Sequence, residues 1–355
     1  MREQAAGEAS AFALDRRNFD FLPDDQSAHW RQAFLRTRGT RAPPPTKLVI
    51  ELLNSCNLDC PMCRVGEHGV DLSRKMPLSV FEATLRELPS VRTVRLNGLG
   101  ETTLLRDLTE YLSVLNRLGR RVEVISNGTG ALSDYQAIVE ADGHVIISWD
   151  AAQPALFERL RRPARWAPLV LRLEEIAEAI AAGGKGRCSL LFTLQRANIG
   201  ELQGVTALAA RLKLSAVQMN VAKTPTNHWI TDRFEAISSD VALAAEVASG
   251  CLVELLTPAQ IAGVALTTGS RTHVAASRCA APWDEAVIRW NGDVQPCNMF
   301  NPYVYGNIHR RPFTEIWSNA FAEVFRAKLN TPDAHPYCRG CVYMPEAYAP
   351  CPATS

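Results

Sequence analysis

The sequence predicts an α/β fold: a partial (β/α)6 barrel with parallel strands, followed by a smaller C-terminal module. Three observations carry this reading. Apolar, β-branched runs alternate with amphipathic segments from Lys47 to about residue 250, the spacing that a parallel sheet covered by helices requires. A helical run is stopped by glycine, at Gly119, before the next strand begins. Beyond about residue 257 the rhythm stops, and the remainder is irregular and holds five of the ten cysteines. The expected division is a lead-in over 1–45, a core over 46–256 and a second module over 257–355.

The elements follow in order. "RGTRAPPPTK" is a Pro-rich connector, and "KLVIELL" after it reads as a buried strand. "PLSVFEATLREL" is an amphipathic helix with Pro77 suited to its first turn. "VRTVRLN" is a strand, "LLRDLTEYLSVLNRLG" a helix stopped by Gly119, and "RVEVISNG" a strand. "SDYQAIVEAD" is helical and "HVIISWD" is the fourth strand. "RLEEIAEAIAAGG", "CSLLFTL", "ELQGVTALAARLK" and "SAVQMNVAK" continue the alternation as helix, strand, helix, strand. An open sheet or a partial barrel of this kind places function at the carboxyl ends of the strands.

Bulk properties narrow the partners. The chain has 355 residues, 47% hydrophobic and 21% charged, with a formal net charge of +1. No basic excess points to nucleic acid. The start, "MREQAAGEASAFALDRRN", is polar, and no apolar run approaches the length of a membrane span. A cytoplasmic, reducing location is expected. There, ten cysteines read as metal ligands or redox groups rather than disulfides.

"NSCNLDCPMCRVG" crowds Cys56, Cys60 and Cys63 just after the first strand. Three thiolates suit an iron–sulfur cluster that keeps one iron for a non-protein ligand. A structural zinc site needs a fourth ligand, and His68 is placed to supply it.

The Cys56-x3-Cys60-x2-Cys63 pattern resembles the signature of the radical S-adenosylmethionine enzymes. The resemblance, over about residues 46–250, implies a [4Fe–4S] cluster whose fourth iron is chelated by S-adenosylmethionine. It further implies a 5′-deoxyadenosyl radical that removes hydrogen from a substrate. Met62 matches the apolar position near the adenine. "NGLGETTLL" resembles the family's Gly-x-Gly-Glu stretch, with Gly98 and Gly100 allowing close approach. Glu101 is placed there to accept from the methionine ammonium. Thr102 departs from the usual Pro. "ISNGTG" resembles the ribose-contacting stretch, which makes Ser126 and Asn127 candidates, and Asp150 ends the fourth strand, where the family's polar residues often touch the cosubstrate.

The C-terminal order Cys279-x12-Gly292-x4-Cys297, with Cys338-x2-Cys341 after it, resembles the auxiliary-cluster extensions called SPASM and twitch domains. "NGDVQPC" reads as a hairpin whose second strand presents the thiol. Position 347 is Ala and Cys351 is the last cysteine, so a seven-cysteine set is incomplete. The resemblance implies one auxiliary [4Fe–4S] cluster on Cys279, Cys297, Cys338 and Cys341. Cys351 is an alternative ligand, and a structural zinc on the same four residues is the competing reading. Cys188 opens the fifth strand as a core residue. Cys251 is a candidate hydrogen donor.

One auxiliary cluster can accept an electron from a substrate radical. The expected activity is therefore oxidation of a carbinol carbon in a sugar or aminocyclitol to a ketone. Alternatives are a redox-neutral epimerase with a Cys donor, a peptide-modifying maturase, and a non-enzymatic zinc protein. Only about 45 residues precede the first strand, too few for the winged-helix peptide reader of about 80 residues that peptide-modifying relatives commonly carry. The implied reductant is a flavodoxin or ferredoxin. Substrate contacts are expected from Asn220, Lys223 and His228, with Asn227, Trp229 and Glu254 nearby.

Overall fold

The computed structural model describes residues 42–63, 70–222, 228–258, 260–261, 264–266, 279, 281–298, 303–329, 331, 333–339 and 341–342. Six strands alternate with helices as the sequence predicts: β1 (Lys47–Ile50), β2 (Thr93–Leu96), β3 (Arg121–Ser126), β4 (His144–Ser148), β5 (Arg187–Leu194) and β6 (Ala216–Val221). Each pairs in parallel with the next, and β7 (Glu254–Leu256) extends the row beside β6. Leu48, Val49 and Ile50 of β1 are wholly buried, which is why that strand reads as an unbroken apolar run.

The crossover helices are α1 (Leu78–Glu87), α2 (Leu108–Arg117), α3 (Leu132–Glu140), α4 (Pro154–Leu160), α5 (Trp166–Ala181) and α6 (Leu202–Arg211), then α7 (His228–Asp232) and α8 (Phe234–Ser249). The segment between β4 and β5 holds two helices where the sequence suggested one. An aromatic cluster clamps this pair to the strand end. Trp149 lies 4.4 Å from Phe157 and 4.8 Å from Trp166, ring centre to ring centre.

The C-terminal module joins the same sheet. After a short hairpin, β8 (Gln260–Ile261) and β9 (Val264–Ala265), come α9 (Ala281–Asp284) and β10 (Glu285–Ile288). Strand β10 pairs in parallel with β1, on the side away from β2. β11 (Asp293–Gln295) returns antiparallel to β10, and β12 (Gly306–Asn307) pairs with β11. The expected hairpin is therefore present. Its turn uses Gly292 at φ +86°, where an added Cβ would lie 2.5 Å from His309. The chain ends in α10 (Phe313–Trp317), α11 (Ala320–Lys328) and α12 (Pro336–Arg339).

Further ties fix the module to the core. The Glu87 carboxylate of α1 accepts from Phe313 N at 3.0 Å and from Thr314 N at 2.8 Å, capping α10 with a residue of another element. Trp317 Nε1 donates to the Pro43 carbonyl at 2.8 Å. Among the described residues no helix is long and apolar enough to cross a membrane.

Candidate functional site

The loop after β1 brings the three cysteines together at the carboxyl end of the strand. Cys63 N donates to the Cys60 carbonyl at 2.9 Å, closing a turn round the Cys-x2-Cys pair. Leu58 N and Asn127 Nδ2 approach Cys56 Sγ at 3.4 and 3.7 Å. Cys56 is half-buried, Cys60 buried and Cys63 exposed. Burial pushes the Cys60 thiol up to about 11, and the Arg161 guanidinium pulls the other way. The thiols of Cys56 and Cys63 act on Cys60 electrostatically, so the three share one locality.

The glycine-rich loop after β2 presses on this loop. A Cβ on Gly98 would stand 2.2 Å from Glu51 Cγ, and one on Gly100 would stand 2.1 Å from the Leu53 carbonyl oxygen. The close approach expected here is made by the chain itself: Gly98 admits the Glu51 side chain and Gly100 the backbone of the β1 loop. Glu101 N then donates to the Ser55 carbonyl at 2.8 Å.

Glu101 is 3% exposed. Its Oε1 accepts from Thr103 N at 3.1 Å and from Thr103 Oγ1 at 2.7 Å, and its Oε2 accepts from Asn127 N at 2.6 Å. The Ser126 hydroxyl is a further partner, and burial raises the carboxyl above its usual range despite these donors. A carboxylate offers about four acceptor positions. Glu101 therefore ties the β2 loop to the end of β3. Asn127 behaves similarly. Its Nδ2 donates to Asn57 Oδ1 at 2.9 Å, and its Oδ1 accepts from Thr129 N at 2.9 Å. Ser126 Oγ accepts from Gly128 N at 3.1 Å and meets Tyr135 Oη at 2.8 Å. Met62 sits half-buried against the core.

Asp150 is wholly buried. Its Oδ1 accepts from Thr193 N at 2.8 Å, and its Oδ2 lies 2.6 Å from Arg161 Nη2. Asp150 thus acts through Arg161, whose guanidinium feels the Cys60 and Cys63 thiols. Arg161 is the residue beside the cysteine loop that sequence reading missed. The run "RLRRPARW" holds four arginines, and nothing in their spacing says which one turns inward.

The auxiliary cysteines also gather. Burial raises the Cys279 thiol well above its ordinary value, and the thiols of Cys297, Cys341 and Cys338 push it further in the same direction. Cys341 N donates to the Cys338 carbonyl at 3.0 Å, the same turn that closes Cys60 and Cys63. Two coupled thiol groups with one turn geometry fit cluster ligation. Among the described residues no three His, Cys, Asp or Glu side chains stand closely enough for a single metal ion. His68 and Cys351 lie outside the described residues.

Two expectations are corrected by topology. Cys251 follows α8 and precedes β7, whose first residue pairs with Ala216 at the start of β6. Cys251 is therefore exposed at the amino end of the sheet, opposite the cysteine loop, and is not placed to give hydrogen to a radical there. Glu254, the first residue of β7, is at that same end. Asn220 is exposed near the carboxyl end of β6, and Trp229 is half-buried against the core. Lys223, Asn227 and the side chain of His228 lie outside the described residues. Cys188 is buried, as expected, and burial pushes its thiol up to about 12.

Comparisons with known proteins agree with this geometry. A family model described as the Radical SAM superfamily matches residues 50–208, and one described as the SPASM iron-sulfur cluster-binding domain matches residues 279–342. A protein named PqqA peptide cyclase from Xanthomonas axonopodis pv. citri is 25% identical over 310 residues, covering 84% of this chain and 81% of the relative. Its namesake from Streptomyces rochei is 25% identical over 320 residues, covering 86% and 83%. The crystal structure of Streptococcus suis SuiB superposes with a TM-score of 0.63 at 15% identity, covering 86% of this chain and 72% of that one. At that identity the likeness is one of fold. The chain belongs to the radical SAM superfamily and carries a SPASM iron–sulfur cluster-binding domain.

Proposed function

We propose that this radical SAM enzyme modifies a peptide. The observation that carries the reading is the 25% identity to a PqqA peptide cyclase, which runs over 84% of this chain. The likeness spans both modules. It favours the peptide-modifying alternative over oxidation of a sugar or aminocyclitol, the activity first expected from the sequence. Cys56, Cys60 and Cys63 would hold one cluster and Cys279, Cys297, Cys338 and Cys341 another. With S-adenosylmethionine bound, the first cluster supplies the 5′-deoxyadenosyl radical that takes hydrogen from the substrate. The chain's part is to fix the cysteine loop: Glu101 and Asn127 tie it to β2 and β3, and Asp150 holds Arg161 against it.

The test is direct. Reconstituted protein is incubated with S-adenosylmethionine, a reductant and either short peptides encoded beside its gene or a panel of aminocyclitols. The expected result is a peptide product lighter by the hydrogens removed, formed together with 5′-deoxyadenosine. A ketone from an aminocyclitol, with every peptide unchanged, overturns the reading.

A further inference from the structure

The auxiliary thiols share their module with buried donors that have nothing to bond. Tyr305 Oη, Trp283 Nε1, Arg326 Nη2 and Arg339 Nε are sealed from solvent and have no hydrogen-bond partner among the described residues. A buried donor left open costs free energy, and each such group in a folded protein asks for an explanation. One acceptor of the module, Gln295 Oε1, is also open, and it does not meet any of them.

Tyr305 is the best placed of these. It is 1% exposed. Its N–H donates to the Val294 carbonyl at 2.8 Å, and the register pairs Val294 with Gly306. Tyr305 therefore stands across from Gln295, two residues short of Cys297. Gln295 closes β11, so the ring stands beside the point where the chain leaves the hairpin for Cys297. Trp317, Phe325 and Tyr303 surround the ring at 6.2, 5.7 and 6.1 Å between centres. Electrostatically the phenol feels the Cys297 and Cys338 thiols, and burial raises it far above its ordinary range, so it stays a donor.

Behind the ring lies Arg326, wholly buried. Its Nε donates to the Pro282 carbonyl and its Nη1 to the Trp317 carbonyl, both at 2.8 Å. The guanidinium stands 4.2 Å from the Trp317 ring and 5.6 Å from the Tyr305 ring. It makes no ion pair among the described residues, with Glu323 acting only through space. Burial lowers it to about 10, which leaves it charged at neutral pH. A desolvated cation without a paired anion is unfavourable. Four thiolates round an iron–sulfur cluster carry charge of the opposite sign, and hydrogen bonds and charge near the sulfurs set such potentials.

We propose that the Tyr305 hydroxyl is a hydrogen-bond donor to a sulfur of the auxiliary cluster, with the buried Arg326 charge behind it, and that the pair raises the cluster's reduction potential. The inference rests on the auxiliary cluster and not on the peptide reading, so it stands or falls separately from the substrate.

The experiment is a redox titration of the full reconstituted chain followed by electron paramagnetic resonance. S-adenosylmethionine perturbs only the signal of the cluster it binds and so identifies the other. Tyr305→Phe is expected to lower the auxiliary midpoint by a tenfold shift in the reduction equilibrium, about 59 mV for one electron, with iron content unchanged. A midpoint unmoved in a fully loaded variant overturns the proposal. If that variant does not hold its iron, 3-fluorotyrosine at position 305 gives the second reading. It is a stronger donor of nearly the same volume, and the midpoint is expected to rise. No rise in the loaded protein overturns the proposal equally.

Discussion

The Glu51 carboxylate, wholly buried at the end of β1, lies 2.6 Å from Arg289 Nε at the turn of the β10–β11 hairpin. The same carboxylate accepts from Leu99 N at 2.8 Å and from Asn54 Nδ2 at 3.0 Å. One side chain thus joins the glycine-rich loop, the start of the cysteine loop and the C-terminal module. Gly98 is glycine because Glu51 occupies the place its Cβ would take.

Breaking this pair from one side takes the wholly buried Glu51 carboxylate away from the half-buried Arg289 guanidinium. Glu51→Gln is expected to destabilise the fold by about 3–5 kcal/mol, read from urea denaturation of the iron-free chain. Glu51→Gln combined with Arg289→Met removes both charges of the pair and should recover part of the loss. A double variant as unstable as the sum of the two singles would mean the residues do not act on each other.

Glu101 and Thr103 give a second test. The structure has the Thr103 hydroxyl donating to Glu101 at 2.7 Å. Losing a bond to a charged acceptor costs about 1.5–3 kcal/mol. Thr103→Val and Glu101→Ala are therefore both expected to weaken binding in calorimetry, Glu101→Ala more, with the iron retained.

Much of this was legible beforehand because the strands β1–β6 and the cysteine loop are written locally. Apolar runs, glycine stops and cysteine spacing all act within a few residues. Glu51 looked like any residue in "KLVIELL", since its partner Arg289 is 238 positions away. Asp150 and Arg161 were obscured similarly: the sequence marked a polar residue at a strand end, while its partner Arg161 lies beyond α4 and reaches it only in the folded chain. Cys251 was misplaced because a free cysteine carries no sign of which end of a sheet it occupies. The crossover helix α8 carries the chain back to the amino end before Cys251.

His144 predicts a pH effect away from the site. Its Nε2 meets Ser189 Oγ at 2.8 Å. Burial, and then the Arg187 charge, lower its pKa from 6.5 to about 4. The unfolded chain therefore binds a proton that the native chain refuses between those values. The contribution is full above pH 6.5 and is lost as the pH falls to about 4, at most about 3 kcal/mol. His144→Gln keeps a partner for Ser189 and cannot titrate. Its stability should fall less steeply than that of the natural protein over this window, by urea midpoints at matched pH.

Arg161 and Asp150 give the prediction that reads the cysteine loop itself. Arg161 Nη2 lies 2.6 Å from a carboxylate with no exposure. Arg161→Met leaves Asp150 as an unpaired buried charge, which costs about 3–5 kcal/mol. It also removes the cation that opposes the rise of the Cys60 thiol, so the loop should hold its cluster less well. Two four-iron clusters give about 8 iron per chain. Replacing Cys56, Cys60 and Cys63 by Ala is expected to leave about 4. Arg161→Met is expected to move towards that lower value while the auxiliary signal persists. Asp150→Asn added to Arg161→Met should restore stability, because the stranded carboxylate is gone. It should not restore iron, because the guanidinium is still missing. Recovery of both together would mean that Arg161 serves only to balance Asp150.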